Sequence, residues 1–164
     1  ILIGLLGRVC TGVCDFCEEL SLNTKKWDLA ETVSGGPFHE VLNHEILFNC
    51  VVATPKTPVF FHPNYIASKR NLSVIGDIAC DPDSDYNPIP IYSTPTTWNK
   101  PGLNIASDPR LDIMAIDNLP SLLPKESSID FAEQIFPYLL GFDKKTKEVW
   151  ERSKEIFKSK VSEV

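Results

Sequence analysis

The chain has 164 residues, 43% hydrophobic and 23% charged, which is enough apolar material for one sizeable core and hardly two. Sixteen Lys and Arg against twenty-two Asp and Glu leave a formal charge of -6, so the broad basic footprint of a nucleic-acid binder is absent and no nucleic-acid partner is expected. No apolar run approaches the roughly 20 residues of a bilayer-spanning helix, and five cysteines are too few, and odd in number, for a secreted disulfide scaffold. The expectation is a soluble, cytoplasmic protein with no membrane partner.

The chain opens on apolar residues, with no initiator Met and no polar lead-in, and is expected to be a piece of something longer. Ile1 to Ile3 predicts a buried strand that runs into Gly4, Gly7 and Gly12, followed by a helix over 11–20. A short strand over 25–27 precedes Asp28. Further buried strands are predicted over 45–51 (E-I-L-F-N-C-V), 73–77 (S-V-I-G-D) and 111–116 (L-D-I-M-A-I), with a helix over 63–70. Residues 78–110 carry Pro82, Pro88, Pro90, Pro95, Pro101 and Pro109 and little periodicity, and so long a loop inside a compact domain is either functional or a misassigned element. The alternation gives an α/β fold, a Rossmann-like mostly parallel sheet with helices on both faces, over residues 1–121. A helical C-terminal segment over 122–164 follows. Its first helix spans 127–140, with Pro137 expected to kink or end it and Gly141 as the break. From Lys144 onward Val149, Trp150, Ile156, Phe157 and Val161 fall at near-helical spacing among Lys and Glu, predicting an amphipathic terminal helix.

Strand, glycine turn and helix in that order make a phosphate cradle. The missing Cβ atoms admit a pyrophosphate, and the free N–H groups and positive end of the helix meet its charge. The spacing G-x-x-G-x-x-x-x-G departs from the usual G-x-G-x-x-G, and alone it is equally a plain glycine turn. Asp28 lies about twenty residues on, at the end of K-K-W-D, where a dinucleotide fold places the carboxylate that holds the adenosine ribose. Alone it is also readable as a strand-end aspartate, but the combination is more specific. A carboxylate there repels a 2′-phosphate and favours NAD over NADP, an inference softened by Lys25 and Lys26. The strand from Glu45 should return beside the first at the switch point, so that residues 49–52 face the cofactor and Cys50 lies near Cys10.

Other patterns carry weaker chemistry. Cys10, Cys14 and Cys17 imitate the cluster-binding signature of radical S-adenosylmethionine enzymes, but i, i+4 and i+7 put them on one helical face, where free Cys is a small core hydrophobe. His39-Glu40 and His44 are one residue too widely spaced for a zinc-protease pair. Asp81, Asp83 and Asp85 begin like a calcium loop, yet Tyr86 stands where Gly is needed and Tyr92 where a bidentate Glu is needed. His62, beside Phe60 and Phe61, reads as a structural histidine. No metal site is expected, and Ser162-Glu163-Val164 is not a peroxisomal tripeptide.

The segments G-L-L-G-R (4–8), K-W-D (26–28) with E-T (31–32), G-G-P-F (35–38), F-N-C (48–50), N-P-I-P-I-Y (87–92), N-K-P (99–101) and I-D-N-L-P-S-L-L-P (116–124) together resemble the nucleotide-binding and C-terminal portion of the NAD-dependent, lysine-forming saccharopine dehydrogenases. The resemblance implies that Gly7 and Arg8 lie along the pyrophosphate, that Asp28 and Thr32 hold the adenosine ribose, and that Val52, Gly76, Ile116, Asp117, Asn118 and Leu119 line the rest of the NAD site. It also implies that Asp77, Ile78 and Ala79 face saccharopine. In the family reaction the secondary amine of saccharopine is oxidised by hydride transfer to NAD, and water splits the imine into lysine and 2-oxoglutarate, a step of lysine biosynthesis. Two departures are Cys10, where the family often has another glycine, and Val52, where it has an aromatic. The family's acid-base Lys and His belong to an N-terminal catalytic domain that would precede Ile1. The resemblance therefore implies no catalytic residue in this chain, which alone should bind the dinucleotide and turn over little or nothing. Alternatives are a lysine-ketoglutarate reductase or alanine-dehydrogenase relative, a non-catalytic nucleotide-binding module, and an iron-sulfur protein using the three cysteines.

Overall fold

The computed structural model describes residues 1–142 and 147–162. The chain divides into two compact units, residues 1–119 and 120–164. In the first, β1 (Leu2–Ile3), β2 (Lys26–Trp27), β3 (Ile46–Asn49), β4 (Val74–Asp77), β5 (Leu103–Ser107) and β6 (Arg110–Met114) form one sheet in the order β2-β1-β3-β4-β6-β5. All neighbours run parallel except the β5–β6 hairpin. The unit is Rossmann-like α/β, with helix α1 (Arg8–Glu19) joining β1 to β2 and the short α2 (Leu29–Thr32) following β2.

Period-two alternation sorts the strand residues between two apolar layers. Ile1, Ile3, Leu47, Ile75, Leu111 and Ile113 enter one core, which also holds Val41, Leu42 and Tyr65 from 3-10 segments His39–Asn43 and Pro63–Ala67, and the loop residues Phe60 and Phe61. Leu2 enters the other, where Cys10, Cys14 and Cys17 present one face of α1 and Phe48 packs alongside. These three thiols are therefore core packing, at 5% exposure or less.

The structure corrects several sequence expectations. Helix α1 begins at Arg8, not Thr11, because Gly7 in extended conformation is its N-cap; Gly12 is inside the helix rather than in the turn. The helix expected over 63–70 is a single 3-10 segment that stops at Ala67. The proline-rich span 78–110 contains β5, an edge strand paired only with β6 and broken by a bulge between Asn104 and Ala106. Its residues are half-exposed or exposed, so no buried run announced it.

In the second unit α3 (Pro124–Leu140) and α4 (Lys147–Ser162) are both helical. Pro137 does not end α3; its missing N–H removes one rung only, and the helix runs one turn further to Leu140, with the Gly141 N–H donating to the Pro137 carbonyl at 3.2 Å. Phe142 packs edge-on to Trp150, ring centroids 4.9 Å apart, and the Trp150 indole N–H donates to the Tyr138 carbonyl at 3.4 Å. Lys144 to Thr146, where the terminal helix was expected to start, and Glu163 and Val164 lie outside the described residues. No helix among the described residues is long and apolar enough to cross a membrane.

Candidate nucleotide site

The chain order reverses at β1, which has β2 on one side and β3 on the other, and the crevice beyond the carboxyl ends of such strands is where open α/β sheets bind ligands. A cleft of about 290 Å³ opens there. Gly4 and Gly7 form its turn, Asp28 and Thr32 one wall, and residues 50–52 the other.

Gly4 has φ +103°, and a Cβ built on it would stand 3.1 Å from the Cys50 carbonyl group and from Val51 Cγ2. The turn from β1 thus lies directly on the end of β3, and only glycine fits. Gly7 N–H donates to the Gly4 carbonyl at 2.9 Å, closing the turn. Asp28 reaches across it. Its Oδ2 accepts from the Leu6 N–H at 2.7 Å and its Oδ1 from the Leu29 N–H at 2.8 Å, while the Asp28 N–H donates to Glu31 Oε2 at 2.8 Å in a reciprocal capping box. With the Glu31 N–H of the capping box as a third donor, the carboxylate's roughly four lone-pair sites still leave capacity for a further donor. The Thr32 hydroxyl donates to the Asp28 carbonyl at 2.9 Å, so Asp28 and Thr32 act as one rigid corner. The two basic residues before Asp28 are occupied elsewhere: Lys25 pairs with Glu40 at 3.3 Å and Lys26 with Glu18 at 3.1 Å.

A second cleft of about 260 Å³ shares Cys50, Val51 and Val52 with the first and is bounded by Val9, Ile78 and Ala79. Of the residues singled out by sequence, Gly7, Asp28, Thr32 and Val52 line the first cleft, and Ile78, Ala79 and Val52 the second. Arg8 is exposed at the start of α1 and lines neither. Ile116 is buried, Asp117 and Asn118 are exposed, and Leu119 is half-buried; they follow β6, two strands away from β3, and line neither cleft.

Gly76 is buried beneath an aromatic ring: a Cβ there would stand 2.6 Å from Phe48 Cδ1. Asp77 is 1% exposed. Its Oδ1 accepts from Asn49 Nδ2 at 2.8 Å and its Oδ2 from the Tyr92 hydroxyl at 2.7 Å, and the Cys80 N–H adds a longer contact to Oδ1. This network ties the ends of β3 and β4 together behind the second cleft. Burial and the bond to Asp77 push the Tyr92 phenol well above its ordinary range. Cys50 does lie beside Cys10, each thiol acting on the other's ionisation. Burial first, then the neighbouring Cys14, pushes Cys10 up to about 11. Burial pushes Cys50 up further, and Cys80, buried near Asp77, to about 11.

Sequence reasoning missed Thr54, Lys56 and Thr57, which complete the first cleft. Their loop is closed locally, with the Thr54 N–H donating to Thr57 Oγ1 at 2.9 Å. T-P-K-T marks a turn and carries no spacing that would have tied it to the glycines. Lys56 is the cation among the residues lining that cleft.

A glycine turn closed against the neighbouring strand, with a carboxylate poised across it at a switch point, belongs here to a Rossmann-like α/β unit. No protein-family model matches the chain. Among curated proteins it is similar to the NAD(+)-dependent, L-lysine-forming saccharopine dehydrogenases of Candida albicans (37% identical, covering 99% of this chain and 44% of the relative), Schizosaccharomyces pombe (36%, 100% and 47%) and Neurospora crassa (37%, 99% and 46%). The chain is thus a relative of the saccharopine dehydrogenases. It spans less than half the length of the relatives it matches.

Proposed function

We propose that this chain is the NAD-binding part of a saccharopine dehydrogenase, with the adenosine half of the cofactor in the first cleft and the nicotinamide end toward the second. The observation that carries the reading is the Asp28 carboxylate, fixed by the Leu6 and Leu29 N–H groups across the turn of Gly4 and Gly7. The fit is physical. The turn has no side chain to fill the cradle, the carboxylate keeps acceptor capacity for ribose hydroxyls, and Lys56 supplies positive charge for a phosphate. The ion pairs of Lys25 and Lys26 with Glu40 and Glu18 leave Asp28 as the dominant charge at the ribose position, which supports NAD over NADP.

When bound, NAD supplies the hydride acceptor for oxidation of the secondary amine of saccharopine. In this chain Gly7 and Arg8 hold the pyrophosphate and Asp28 and Thr32 the ribose. Val52 bounds the remainder, while Gly76, beneath the Phe48 ring, and Ile116 to Leu119 line neither cleft and enter the reading only through the resemblance. Ile78 and Ala79 form the substrate-facing wall, and Asp77 sets its position from behind through Asn49 and Tyr92. By the resemblance the acid-base Lys and His lie outside this chain, and on that reading the chain binds the dinucleotide and lacks turnover by itself. Lysine biosynthesis in the cytoplasm is the setting proposed for the whole enzyme.

Fluorescence titration with NADH tests the reading. The wild-type chain should bind NADH more tightly than NADPH. Asp28→Asn, which keeps an acceptor for the cap, should weaken NADH binding by about 1 to 3 kcal/mol, the scale of a charge-assisted hydrogen bond. Equal affinity in wild type and variant overturns it.

A further inference from the structure

Two histidines that the nucleotide site leaves unused, His39 and His62, meet at one pocket of about 570 Å³. Pro37 and Val59 give it apolar walls, and Tyr65 joins the two histidines in lining it. The pocket shares no residue with the first cleft, although Val59 stands between Pro58 and Phe60, which line that cleft. Rings dominate the lining. The Tyr65 ring centroid lies 5.1 Å from that of His39 and 6.3 Å from that of His62, with Phe61 edge-on to it at 5.5 Å.

The polar groups around these rings are chiefly donors. Tyr65 is only 6% exposed, yet its hydroxyl has no hydrogen-bond partner among the described residues and is not sealed from solvent, so it opens on the pocket that its ring lines. His62 Nδ1 accepts from the Asn64 N–H at 3.4 Å, which leaves the ring proton on Nε2 as a donor. The Asn64 side-chain amide, also in the lining, adds two N–H groups. No Asp or Glu lines the pocket, and Glu40, the residue after His39, is held by Lys25 at 3.3 Å.

We infer that this pocket is a second ligand site, separate from the nucleotide crevice, and that it takes a small planar aromatic carboxylate. A flat ring finds aromatic faces and edges to pack on, with Pro37 and Val59 beside them. A phenol hydroxyl nine-tenths buried without a partner is completed by an acceptor, and an ionised carboxylate is acceptor-only. Such a ligand meets no like charge in the lining. The site stands whether or not the first cleft takes NAD, because the two have no residue in common.

Benzoate is the probe, titrated into the isotope-labelled chain and followed by amide NMR shifts. Benzyl alcohol, a ring without the charge, and acetate, the charge without a ring, are the controls. Wild type should show saturable shifts at Gly35, Gly36 and Ser68, with benzoate bound about tenfold more tightly than either control, the scale of one hydrogen bond to a charged acceptor. Tyr65→Phe keeps the ring and should weaken benzoate by about tenfold. His62→Asn, which keeps a side-chain acceptor for the Asn64 N–H, should weaken it as well and decides the matter if Tyr65→Phe does not fold. Shifts at Gly4 and Gly7 instead of the pocket residues, benzoate no tighter than benzyl alcohol, or unchanged affinity in a folded variant overturns the proposal.

Discussion

The three glycines that open the sequence should respond to alanine with opposite signs. At Gly4 the new Cβ meets two obstacles. The backbone is at φ +103°, outside the range L residues adopt readily, at a cost of about 1 to 3 kcal/mol. The Cβ also stands 3.1 Å from the carbonyl carbon and oxygen of Cys50, backbone atoms that move only if the end of β3 moves, and overpacking of this kind costs about 1 to 3 kcal/mol. Gly4→Ala should therefore destabilise the chain by roughly 2 to 6 kcal/mol. At Gly12 a Cβ meets nothing within 4 Å, and the residue is exposed inside α1. Gly12→Ala should stabilise by up to about 1 kcal/mol through helix propensity. Gly7, whose Cβ would stand 3.2 Å from the Gly4 carbonyl oxygen, falls between them. Urea unfolding of the three variants, read at the midpoint with the slope checked for constancy, orders them. If Gly12→Ala destabilises as much as Gly4→Ala, the helix does not begin at Arg8 and the cradle is not the one described.

Tyr92→Phe removes one donor from the buried Asp77 carboxylate and should cost about 1 to 3 kcal/mol in the same urea assay, with retained near-UV signal; an unchanged midpoint refutes the network. Cys10, Cys50, Cys80 and Tyr92 all have folded pKa values above their ordinary ones. The unfolded chain therefore releases these protons first; the contribution is intact below about pH 9, and that of Cys10 and Cys80 is lost as pH rises from 9 through about 11, while that of Cys50 and Tyr92 is still declining there. Urea midpoints that hold level or rise between pH 9 and 11 contradict that burial.

The central strands were legible because a parallel sheet covered on both faces needs short continuous runs such as E-I-L-F-N-C-V, and loops of the right length separate them. Asp28 was legible because its distance from the glycines is set by one helix and one strand. The start of α1 was not, since an extended Gly7 caps the helix without a Ser, Thr or Asp to signal it. Nor was β5, where L-N-I-A-S follows Pro101 and Gly102 and gains its order from pairing with β6 alone. The burial of Asp77 was invisible for a different reason. Its partners Asn49 and Tyr92 lie 28 and 15 residues away in sequence and meet only after folding.

Most directly, the crystal structure of the chain with NADH tests the central claim. The adenosine ribose is expected on the Asp28 carboxylate and the pyrophosphate against the turn of Gly4 and Gly7. Density for the nucleotide elsewhere, with that turn closed over by its own side chains, would contradict it.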